Sequence, residues 1–228
     1  MQTIVILTGA GISAESGVST FRDSNGLWEN HAIEEVASPQ GWYNNQELVL
    51  KFYNLRRKQL YEVEPNRAHY ALVALEKKYD VRIITQNVDD LHERAGSQNV
   101  LHLHGEIKKS QSTKNPSLVY DIKGWELKTG DCCELGSQLR PYIVWFGESV
   151  PMIEAAAKIS AAADIYIVIG TSLNVYPAAG LLHYVPEETP IYLIDPKGSS
   201  VMEFKNLTVI KKNAGDGVPE LVNKLLNK

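Results

Sequence analysis

The fold is decided close to the N-terminus, where residues 3–14 read TIVILTGAGISA. The run Thr3–Leu7 is apolar on both faces, which is typical of a strand buried in a parallel sheet. Gly9 and Gly11, followed by the small residue Ala14, match the G-x-G-x-x-G/A turn. In that pattern the first glycine makes a tight turn, the second admits a pyrophosphate, and the small residue lets helix and strand pack closely. An ordinary strand-to-helix turn explains these residues equally well when they are considered alone.

Apolar runs and helical patterns alternate along the rest of the chain, and Pro65 and Pro219 fall near predicted helix starts. The alternation predicts an α/β fold, a Rossmann-like doubly wound parallel sheet with a second, smaller inserted lobe. Besides Thr3–Leu7, the predicted strands are Val81–Thr85, Val100–Leu103, Tyr142–Phe146, Ile165–Gly170, Ile191–Ile194 and Leu207–Ile210. The predicted helices are Glu47–Tyr61, Asn66–Tyr79, Met152–Ala163 and Val218–Leu226.

Two segments interrupt the alternation. More than seventy residues separate the first two predicted strands, which is too many for one crossover helix. The segment from Gly105 to Pro141 is polar, with weak strand signals around Leu118–Ile122. We therefore expect residues 1–228 to form one catalytic domain with two lobes, a large one over 1–30, 80–105 and 141–228, and a small one over about 31–79 and 106–140.

Composition excludes several classes of protein. Hydrophobic residues make up 44% and charged residues 22% of the 228 residues, so disordered, collagen-like and coiled-coil proteins are excluded. With 23 basic and 27 acidic residues, the net charge of −4 provides no basic excess for nucleic acid. No run approaches the roughly 20 apolar residues of a membrane helix. Neither a nucleic acid nor a membrane is therefore expected as a partner.

The N-terminal residues and the cysteines indicate the cellular compartment of the protein. Met1-Gln2-Thr3 leads directly into an apolar run without a basic segment, so no signal peptide is expected. Cys132 and Cys133 are the two cysteines, and adjacent cysteines cannot link distant segments. We expect a reduced cytoplasmic protein, and a monomer.

Further blocks of sequence extend the first turn. Residues 15–23 read ESGVSTFRD and are followed by GLW at 26–28. Later blocks read TQNVD at 85–89, LHERAG at 91–96, LHG at 103–105, VWFGE at 144–148 and GTSL at 170–173. In this order, over nearly the whole chain, the blocks resemble the sirtuin (Sir2) family. The chain is identified as a member of its bacterial-type class III, whose members are NAD-dependent protein deacylases.

The resemblance implies that NAD is the cosubstrate. It implies that Phe21 covers the reacting centre, although core packing is the alternative, and that Arg22 lies near the phosphates or orders its loop. Asp195 is expected to accept hydrogen bonds from the adenosine ribose, at a position where family members commonly carry Asn, and Ala214 to lie beside adenine. The expected cofactor-binding residues are Gly9, Ala10, Gly11, Ser13, Ala14, Glu15, Thr20, Phe21, Arg22, Trp28, Gln86, Asn87, Val88, Asp89, Gly170, Thr171, Ser172, Asp195, Pro196, Lys197 and Ala214.

Asn87 and Asp89 follow the strand Val81–Thr85, at the carboxyl end where open α/β sheets place their ligands. Their side chains can donate to and accept from ribose hydroxyls and a carboxamide. A helix cap is the alternative for an isolated Asn-x-Asp. The resemblance implies that both residues bind the nicotinamide ribose and take part in catalysis.

His102 and His104 alternate on a predicted strand and should therefore share one face. No third or fourth partner for a metal is found near them. The resemblance assigns His104 as the general base, a task that suits a histidine because its ordinary pKa lies near neutrality. For His102, a structural position in the core is expected.

The reaction implied by the resemblance consumes NAD and an acyl-lysine protein. The acyl oxygen attacks the anomeric carbon as nicotinamide leaves, His104 helps to deprotonate a ribose hydroxyl, and the acyl group moves onto ADP-ribose. Two other functions fit the same fold, protein ADP-ribosyl transfer and NAD sensing without catalysis. A base at His104 argues against a pure sensor, and an acyl-recognition motif argues against ADP-ribosyl transfer.

That acyl-recognition motif is Tyr53-x-x-Arg56 on the predicted helix Glu47–Tyr61. The two residues are neighbours on the helix surface and can together clamp a carboxylate. A solvated arginine beside a half-buried tyrosine is the alternative. The spacing resembles the motif of sirtuins that remove succinyl and malonyl groups, so such deacylation is expected, and deacetylation stays open beside it. Ala37 is expected to shape the pocket, and the substrate-binding residues are Tyr53, Arg56, Val144, Phe146 and Gly147.

Most sirtuins carry two Cys-x-x-Cys pairs in the smaller lobe, and this chain does not. Cys132 and Cys133 supply two adjacent thiols, short of the four ligands of a structural zinc site. Oxygen ligands from Asp131 or Glu134 would make an unusual site. We expect no structural zinc, and a lobe held by packing of Leu118, Tyr120, Ile122, Trp125 and Leu127.

Overall fold

The computed structural model describes residues 1–19, 27–28, 31–173, 175–198 and 204–227, with the backbone alone at 27 and 28. The chain forms two compact units. The first comprises Met1–Thr20, Glu64–Leu103 and Val150–Lys228, and the second comprises Phe21–Val63 and His104–Ser149.

The secondary structure follows the alternation expected from the sequence. The strands are β1 (Thr3–Thr8), β2 (Leu27–Trp28), β3 (His31–Ala32), β4 (Asp80–Thr85), β5 (Val100–His102), β6 (Gly105–Ser112), β7 (Val119–Asp121), β8 (Leu139–Ile143), β9 (Ile165–Ile169), β10 (Ile191–Ile194) and β11 (Leu207–Ile210). The helices are α1 (Ile33–Val36), α2 (Pro39–Asn44), α3 (Gln46–Gln59), α4 (Arg67–Leu75), α5 (Leu91–Ala95), α6 (Ile153–Ala161) and α7 (Ala214–Leu226). Within the described ranges, no helix is long and apolar enough to cross a membrane.

The first unit contains a six-stranded parallel sheet in the order β11-β10-β9-β1-β4-β5. The chain builds outward from β1 through β4 and β5, and then returns to the other side of β1 for β9, β10 and β11. This reversal confirms the doubly wound Rossmann-like sheet. It also makes the carboxyl ends of β1 and β9 the point where open α/β sheets bind ligands.

Both faces of this sheet are buried, as the apolar strands predict. Ile4 and Ile6 pack on one face with α4 and α7, and Val5 and Leu7 pack on the other with α6 and the short 3₁₀ segment Ala178–Tyr184. The sequence placed the helix now seen as α4 in the smaller lobe. It lies in the first unit instead, because its apolar stripe completes the core on the first face. That stripe consists of Ala68, Leu72 and Leu75.

Helix α7 begins earlier than the sequence indicated. It starts at Ala214, so Pro219 lies inside the helix rather than near its start. The first turn reads Ala-Gly-Asp-Gly, a composition typical of a loop. Both glycines lie close to neighbouring side chains. A Cβ at Gly215 would lie 2.7 Å from Oε1 of Glu15, and one at Gly217 would lie 2.6 Å from Cγ2 of Ile194.

The second unit contains a three-stranded antiparallel sheet in the order β7-β6-β8, the short pair β2-β3, and helices α1, α2 and α3. The prediction of a strand at Tyr142–Phe146 in the main sheet was wrong. The strand is β8, which ends at Ile143 and pairs antiparallel with β6 in the small sheet.

The smaller sheet is not held mainly by the apolar residues expected from the sequence. Of those five, only Leu127 is buried, and Trp125 is 38% exposed. Hydrogen bonds supply the attachment instead. Arg57 on α3 is fully buried and donates to the carbonyl oxygens of Ile107 at 2.6 Å and Trp125 at 2.8 Å. The buried guanidinium thus joins α3 to β6 and to the loop at Trp125 through hydrogen bonds.

Candidate active site

The glycine turn after β1 packs directly against the turn after β9. The amide of Gly9 donates to the carbonyl of Ile169, and the amide of Gly11 donates to that of Gly170, both at 2.9 Å. A Cβ at Gly9 would lie 2.7 Å from Cβ of Thr171, and one at Gly11 would lie 2.6 Å from Cα of Gly170. Close contact between two ligand-side turns therefore requires both glycines in this structure.

Three polar side chains meet beside this turn. Ser13, Asn87 and Asp89 are 0%, 7% and 6% exposed. The hydroxyl of Ser13 donates to Oδ2 of Asp89 at 3.0 Å and accepts from Nδ2 of Asn87 at 3.2 Å. The structure thus brings together three of the predicted site residues, from the turns after β1 and β4.

Asp89 is a buried carboxylate whose charge is poorly solvated. Burial raises its pKa to about 6, while hydrogen bonds from the amide of Leu91 and the hydroxyl of Ser13, and the charge of His102, act in the opposite direction. The bond from Leu91, at 3.2 Å, lies at the start of α5. One carboxylate oxygen of Asp89, Oδ1, therefore caps the first amide of α5, and the other, Oδ2, accepts from Ser13.

A second layer of polar groups, which the motifs of the sequence do not indicate, supports Asn87. The hydroxyl of Thr85 accepts from the amide of Asn87 at 3.0 Å and from the hydroxyl of Thr8 at 2.8 Å. Nε2 of His92 lies 3.1 Å from the same Thr8 hydroxyl. Thr8 and Thr85 lie at the ends of the neighbouring strands β1 and β4, and that position is the sequence feature from which this layer could have been predicted. The position of His92 beside them depends on tertiary packing alone.

His92 also contacts His69 in the core, with ring centroids 5.0 Å apart. Burial lowers the pKa of His69 to about 4 and that of His92 well below its ordinary value. Both imidazoles are therefore neutral near pH 7. Among the described residues, neither Nε2 of His69 nor Nδ1 of His92 has a hydrogen-bond partner.

The turns after β9 and β10 place the remaining predicted residues of the first unit. Thr171 accepts from Nε2 of Gln86 at 3.1 Å, which joins the turn after β9 to that after β4. Asp195 is 2% exposed and accepts from the amide of Lys197 at 2.9 Å. Ala214 is buried at the first position of α7. The predicted residues therefore surround the carboxyl ends of β1, β4, β9 and β10, while Thr20, Phe21 and Arg22, and the side chain of Trp28, lie outside the described residues.

Glu15 has a structural partner. Its Oε2 accepts from the amide of Gly215 at 2.6 Å, so a carboxylate satisfies one of the first amides of α7. This bond ties the 3₁₀ turn Ala14–Ser16 to the start of α7.

His102 and His104 do not lie on one face of a common strand. β5 ends at His102, the chain bends through Leu103 and His104, and β6 begins at Gly105. The expectation of one strand through both histidines was therefore wrong. A Cβ at Gly105 would lie 2.1 Å from the carbonyl oxygen of Tyr142, which explains why the chain turns at a glycine with φ of +86°.

His104 and the predicted substrate-binding loop lie together in the second unit. The carbonyl of His104 accepts from the amide of Val144 at 2.9 Å. Two residues on, the amide of Phe146 donates to the carbonyl of Ala37 at 3.0 Å, and the Phe146 side chain is 48% exposed. Gly147 has φ of +90°. Backbone bonds therefore hold Val144 beside His104 and Phe146 beside Ala37, and the ring of Phe146 is exposed.

Tyr53 and Arg56 lie on α3 with different surroundings. Tyr53 is fully buried, and its hydroxyl oxygen accepts from Nε1 of Trp145 at 3.1 Å. Burial also raises its pKa, so the phenol keeps its proton. The guanidinium carbon of Arg56 lies 4.0 Å from the ring centroid of Phe52. Arg56 lines a cavity of about 310 Å³, whose other lining residues are His31, Leu48, Lys51, Phe52, Leu55 and Gln59.

The two cysteines differ in environment. Cys132 is exposed, whereas Cys133 is buried with its sulfur 3.3 Å from the hydroxyl of Ser112 and 3.2 Å from that of Ser137. In the part of the chain that the structure describes, no three His, Cys, Asp or Glu side chains are grouped so that they could hold a metal ion.

Comparisons with known proteins agree with this geometry. The model of the Sir2 family matches residues 9–177. A protein of Bacteroides thetaiotaomicron named NAD-dependent protein deacylase is 54% identical over 99% of both chains. One of Helicobacter pylori with the same name is 54% identical over 99% of this chain and 98% of its own. A solved complex of a Sir2 homologue with NAD has a TM-score of 0.89 at 38% identity, over 99% of this chain and 90% of that one. The chain belongs to the Sir2 family.

Proposed function

We propose that this protein removes succinyl and malonyl groups, and acetyl groups as well, from the lysines of proteins, with NAD as cosubstrate and with nicotinamide and O-acyl-ADP-ribose as products. The coarser part of this statement, an NAD-dependent protein deacylase, is supported by membership of the Sir2 family and by relatives of that name at 54% identity. The acyl preference is supported by residues of α3.

The residues of the first unit fit NAD. Carboxyl ends of adjacent parallel strands carry a glycine turn, buried amide and carboxylate groups at Asn87 and Asp89, and a buried carboxylate at Asp195. These groups match the ribose hydroxyls and the carboxamide of a dinucleotide. NAD supplies the leaving group, nicotinamide, and the ADP-ribose that accepts the acyl group. Asn87 and Asp89 would hold the nicotinamide ribose, and Asp195 the adenosine ribose.

His104 has the chemistry of a general base. A neutral imidazole near pH 7 can take a proton from a ribose hydroxyl, and its backbone is fixed by the bond from Val144. The exposed ring of Phe146 and the glycine at 147, two and three residues beyond Val144, would contact the acyl-lysine segment of the substrate. ADP-ribosyl transfer to protein remains the alternative reaction of the same cosubstrate.

The observation that carries the acidic acyl preference is the charge around the α3 cavity. Two cationic side chains, Lys51 and Arg56, line about 310 Å³ together with the apolar Leu48, Phe52 and Leu55. The guanidinium of Arg56 stacks on the ring of Phe52, and this stacking restricts the orientation of its N–H groups. An acyl chain that ends in a carboxylate matches apolar walls with cationic side chains, whereas an acetyl group would use neither charge.

The decisive experiment is incubation of the protein and NAD with peptides that differ only in an acetyl-, malonyl- or succinyl-lysine, followed by mass analysis of both products. The proposal predicts acyl-ADP-ribose from all three, with the acidic groups removed faster. Transfer of ADP-ribose to the peptide would favour the alternative reaction. Removal of the acetyl group alone would refute the acyl preference while leaving the deacylase function intact.

A further inference from the structure

The imidazole of His102 lies between two hydrogen-bond acceptors of the first unit. His102 is the last residue of β5, and its Nδ1 lies 3.0 Å from the carbonyl oxygen of Asn87. Its Nε2 lies 2.8 Å from Oε1 of Glu93 on α5. The side chain of His102 is only 10% exposed and that of Glu93 is 41% exposed, so the bond to Asn87 is the better shielded of the two and the bond to Glu93 faces solvent on the carboxylate side. The ring thus ties the end of β5 to the turn that carries Asn87 and to the helix that follows.

The two acceptors determine the charge of the ring. A backbone carbonyl has no proton to donate, and an ionised carboxylate only accepts. Each ring nitrogen must therefore carry a hydrogen, which makes His102 an imidazolium paired with Glu93. The sequence predicts a structural histidine at this position but not its charge, because Glu93 and Asn87 are brought to the ring by the fold.

The charged and titratable groups around this ring come from the loop before α5, from α5 and from α4. Burial raises the pKa of Asp89 to about 6, and the positive charge of His102 is among the effects that lower it, whereas Asp90 raises it. His92 on α5 and His69 on α4 are held neutral by burial. Those two imidazoles therefore add no positive charge near Asp89, and the imidazolium of His102 does.

We propose that His102 is a positioning residue of the NAD site: as an imidazolium held by Glu93, it fixes the carbonyl of Asn87, and with it the turn at 87–89, and it places a positive charge beside that turn. The inference rests on the proposed function only in that Asn87 and Asp89 serve NAD. The charge state of His102 is independent of which acyl group the protein removes.

Two substitutions separate the charge of the ring from its hydrogen bonds. In Glu93→Gln, the new amide can donate to Nε2 of a neutral ring whose Nδ1–H still donates to Asn87, so both bonds persist and the charge is lost. His102→Leu removes both bonds and the charge. Glu64→Gln is the matched control, because Glu64 is 78% exposed and pairs with Arg94 on the same helix at 2.8 Å.

The charge state is measured directly by nitrogen NMR of the histidine rings in the ligand-free protein. At pH 7.5, both ring nitrogens of His102 should have the chemical shifts of protonated nitrogens in the wild type and in Glu64→Gln. In Glu93→Gln, one of them should become unprotonated at the same pH. A neutral His102 in the wild type at pH 7.5 would overturn the proposal, whatever the protein proves to deacylate.

The positioning role is measured by calorimetry with ADP-ribose and by the pH profile of kcat/KM for NAD. His102→Leu should raise the Kd for ADP-ribose about tenfold, the loss expected for one charge-assisted hydrogen bond. Glu93→Gln should move the acid limb of the profile to higher pH, because Asp89 loses a neighbouring cation and its pKa rises. Glu64→Gln should change neither quantity. Equal effects of Glu93→Gln and Glu64→Gln would show that the ion pair merely anchors α5, and would refute the positioning role.

Discussion

The side chain of Asn54 forms two hydrogen bonds with the backbone of Leu127, one in each direction. Nδ2 donates to the carbonyl of Leu127 and Oδ1 accepts from its amide, both at 2.9 Å. The same Oδ1 accepts from the buried guanidinium of Arg57 at 2.7 Å. The side-chain amide of Asn54, in the middle of α3, thus forms the same reciprocal pair of bonds with Leu127 that a backbone amide of an adjacent β-strand would form. These bonds hold the loop at Leu127 against α3.

Asn54→Ala should therefore destabilise the protein although alanine is the better helix former. The substitution leaves the buried amide and carbonyl of Leu127 without their partner, at about 1–3 kcal/mol for each unsatisfied group. We expect the free energy of unfolding to fall by about 2–4 kcal/mol in urea titrations. Asn223→Ala, at an exposed position of α7, is the matched control and should change it by no more than about 0.5 kcal/mol. A similar value for both variants would show that the pair contributes nothing.

The sheet of the first unit could be predicted because its strands are buried on both faces. Runs such as Ile165–Ile169 are continuous and apolar, and hydrophobicity identifies them directly. β6 was missed for the opposite reason. Its inward-facing positions include Ser110 and Ser112, both 1% exposed, so the strand lacks the apolar alternation by which such strands are recognised. Without β6, the pairing partner of β8 was unknown, and that strand was assigned to the wrong sheet.

Of the candidate site, only the residues that directly follow a predicted strand could be predicted from the sequence. Asn87 and Asp89 follow β4 directly, and a turn after a parallel strand indicates a ligand position. Their supports come from elsewhere in the chain. Thr8 is 77 residues from Thr85 and 84 from His92, and these contacts depend on the register of β1 against β4. Motif spacing contains no information on that register, so the second polar layer was found only in the structure.

His104→Ala tests the proposed general base. The substitution removes the imidazole and leaves the backbone bond between His104 and Val144 possible, so the fold should persist. We expect NAD-dependent deacylation to fall by at least two orders of magnitude, the usual contribution of a general base, with a melting temperature within a few degrees of the wild type. Near-normal turnover in the folded variant would remove His104 from the mechanism.

Asp89→Asn should lower activity and raise stability at the same time. Burial raises the pKa of Asp89 in the folded protein to about 6, above the value of about 3.9 in an unfolded chain. The folded state therefore binds this proton more tightly, and stability is lost as pH rises from about 4 to 6. At about 1.4 kcal/mol per pKa unit, the ionised carboxylate costs up to about 3 kcal/mol at pH 7.

Denaturant titrations at pH 7 and pH 5 measure this effect. The variant should be the more stable protein at pH 7, and its advantage should shrink at pH 5, where the wild-type carboxyl binds its proton. Asp121→Asn, at an exposed position of β7, should show neither change. An Asp89→Asn variant less stable than the wild type at pH 7 would show that the carboxylate is well solvated or paired.

Purified protein should contain no stoichiometric zinc. Cys132 is exposed and Cys133 is buried against two serine hydroxyls, so the adjacent thiols have different surroundings and cannot close a tetrahedral site. Elemental analysis measures the metal content, and a chelator should change neither the melting temperature nor the activity. One tightly held equivalent of zinc per chain would contradict this expectation.

The last prediction concerns acyl selectivity and depends on a difference between Tyr53 and Arg56. Tyr53→Phe removes the acceptor of the indole N–H of Trp145, which is 2% exposed, so this variant combines a structural loss with any loss of substrate binding. Arg56 lines the α3 cavity and stacks on Phe52. Arg56→Met keeps an apolar stem over the ring and removes only the charged fork. It is therefore the cleaner test.

Arg56→Met should depress kcat/KM for a succinyl-lysine peptide by roughly one to two orders of magnitude and spare the acetyl-lysine peptide. The estimate corresponds to about 1.5–3 kcal/mol for charge-assisted hydrogen bonds to one carboxylate, at about 1.4 kcal/mol per decade. Tyr53→Phe should act in the same direction but less. A double variant that loses less than the sum would show that both side chains serve one carboxylate, whereas additive losses would show that the buried Tyr53 acts through Trp145. Lys51→Met, which removes the other cation of the same cavity, separates a specific clamp from general positive charge: a clamp predicts a smaller effect than that of Arg56→Met. If Arg56→Met slows acetyl and succinyl peptides equally, Arg56 supports the structure of α3 and the acyl preference resides elsewhere.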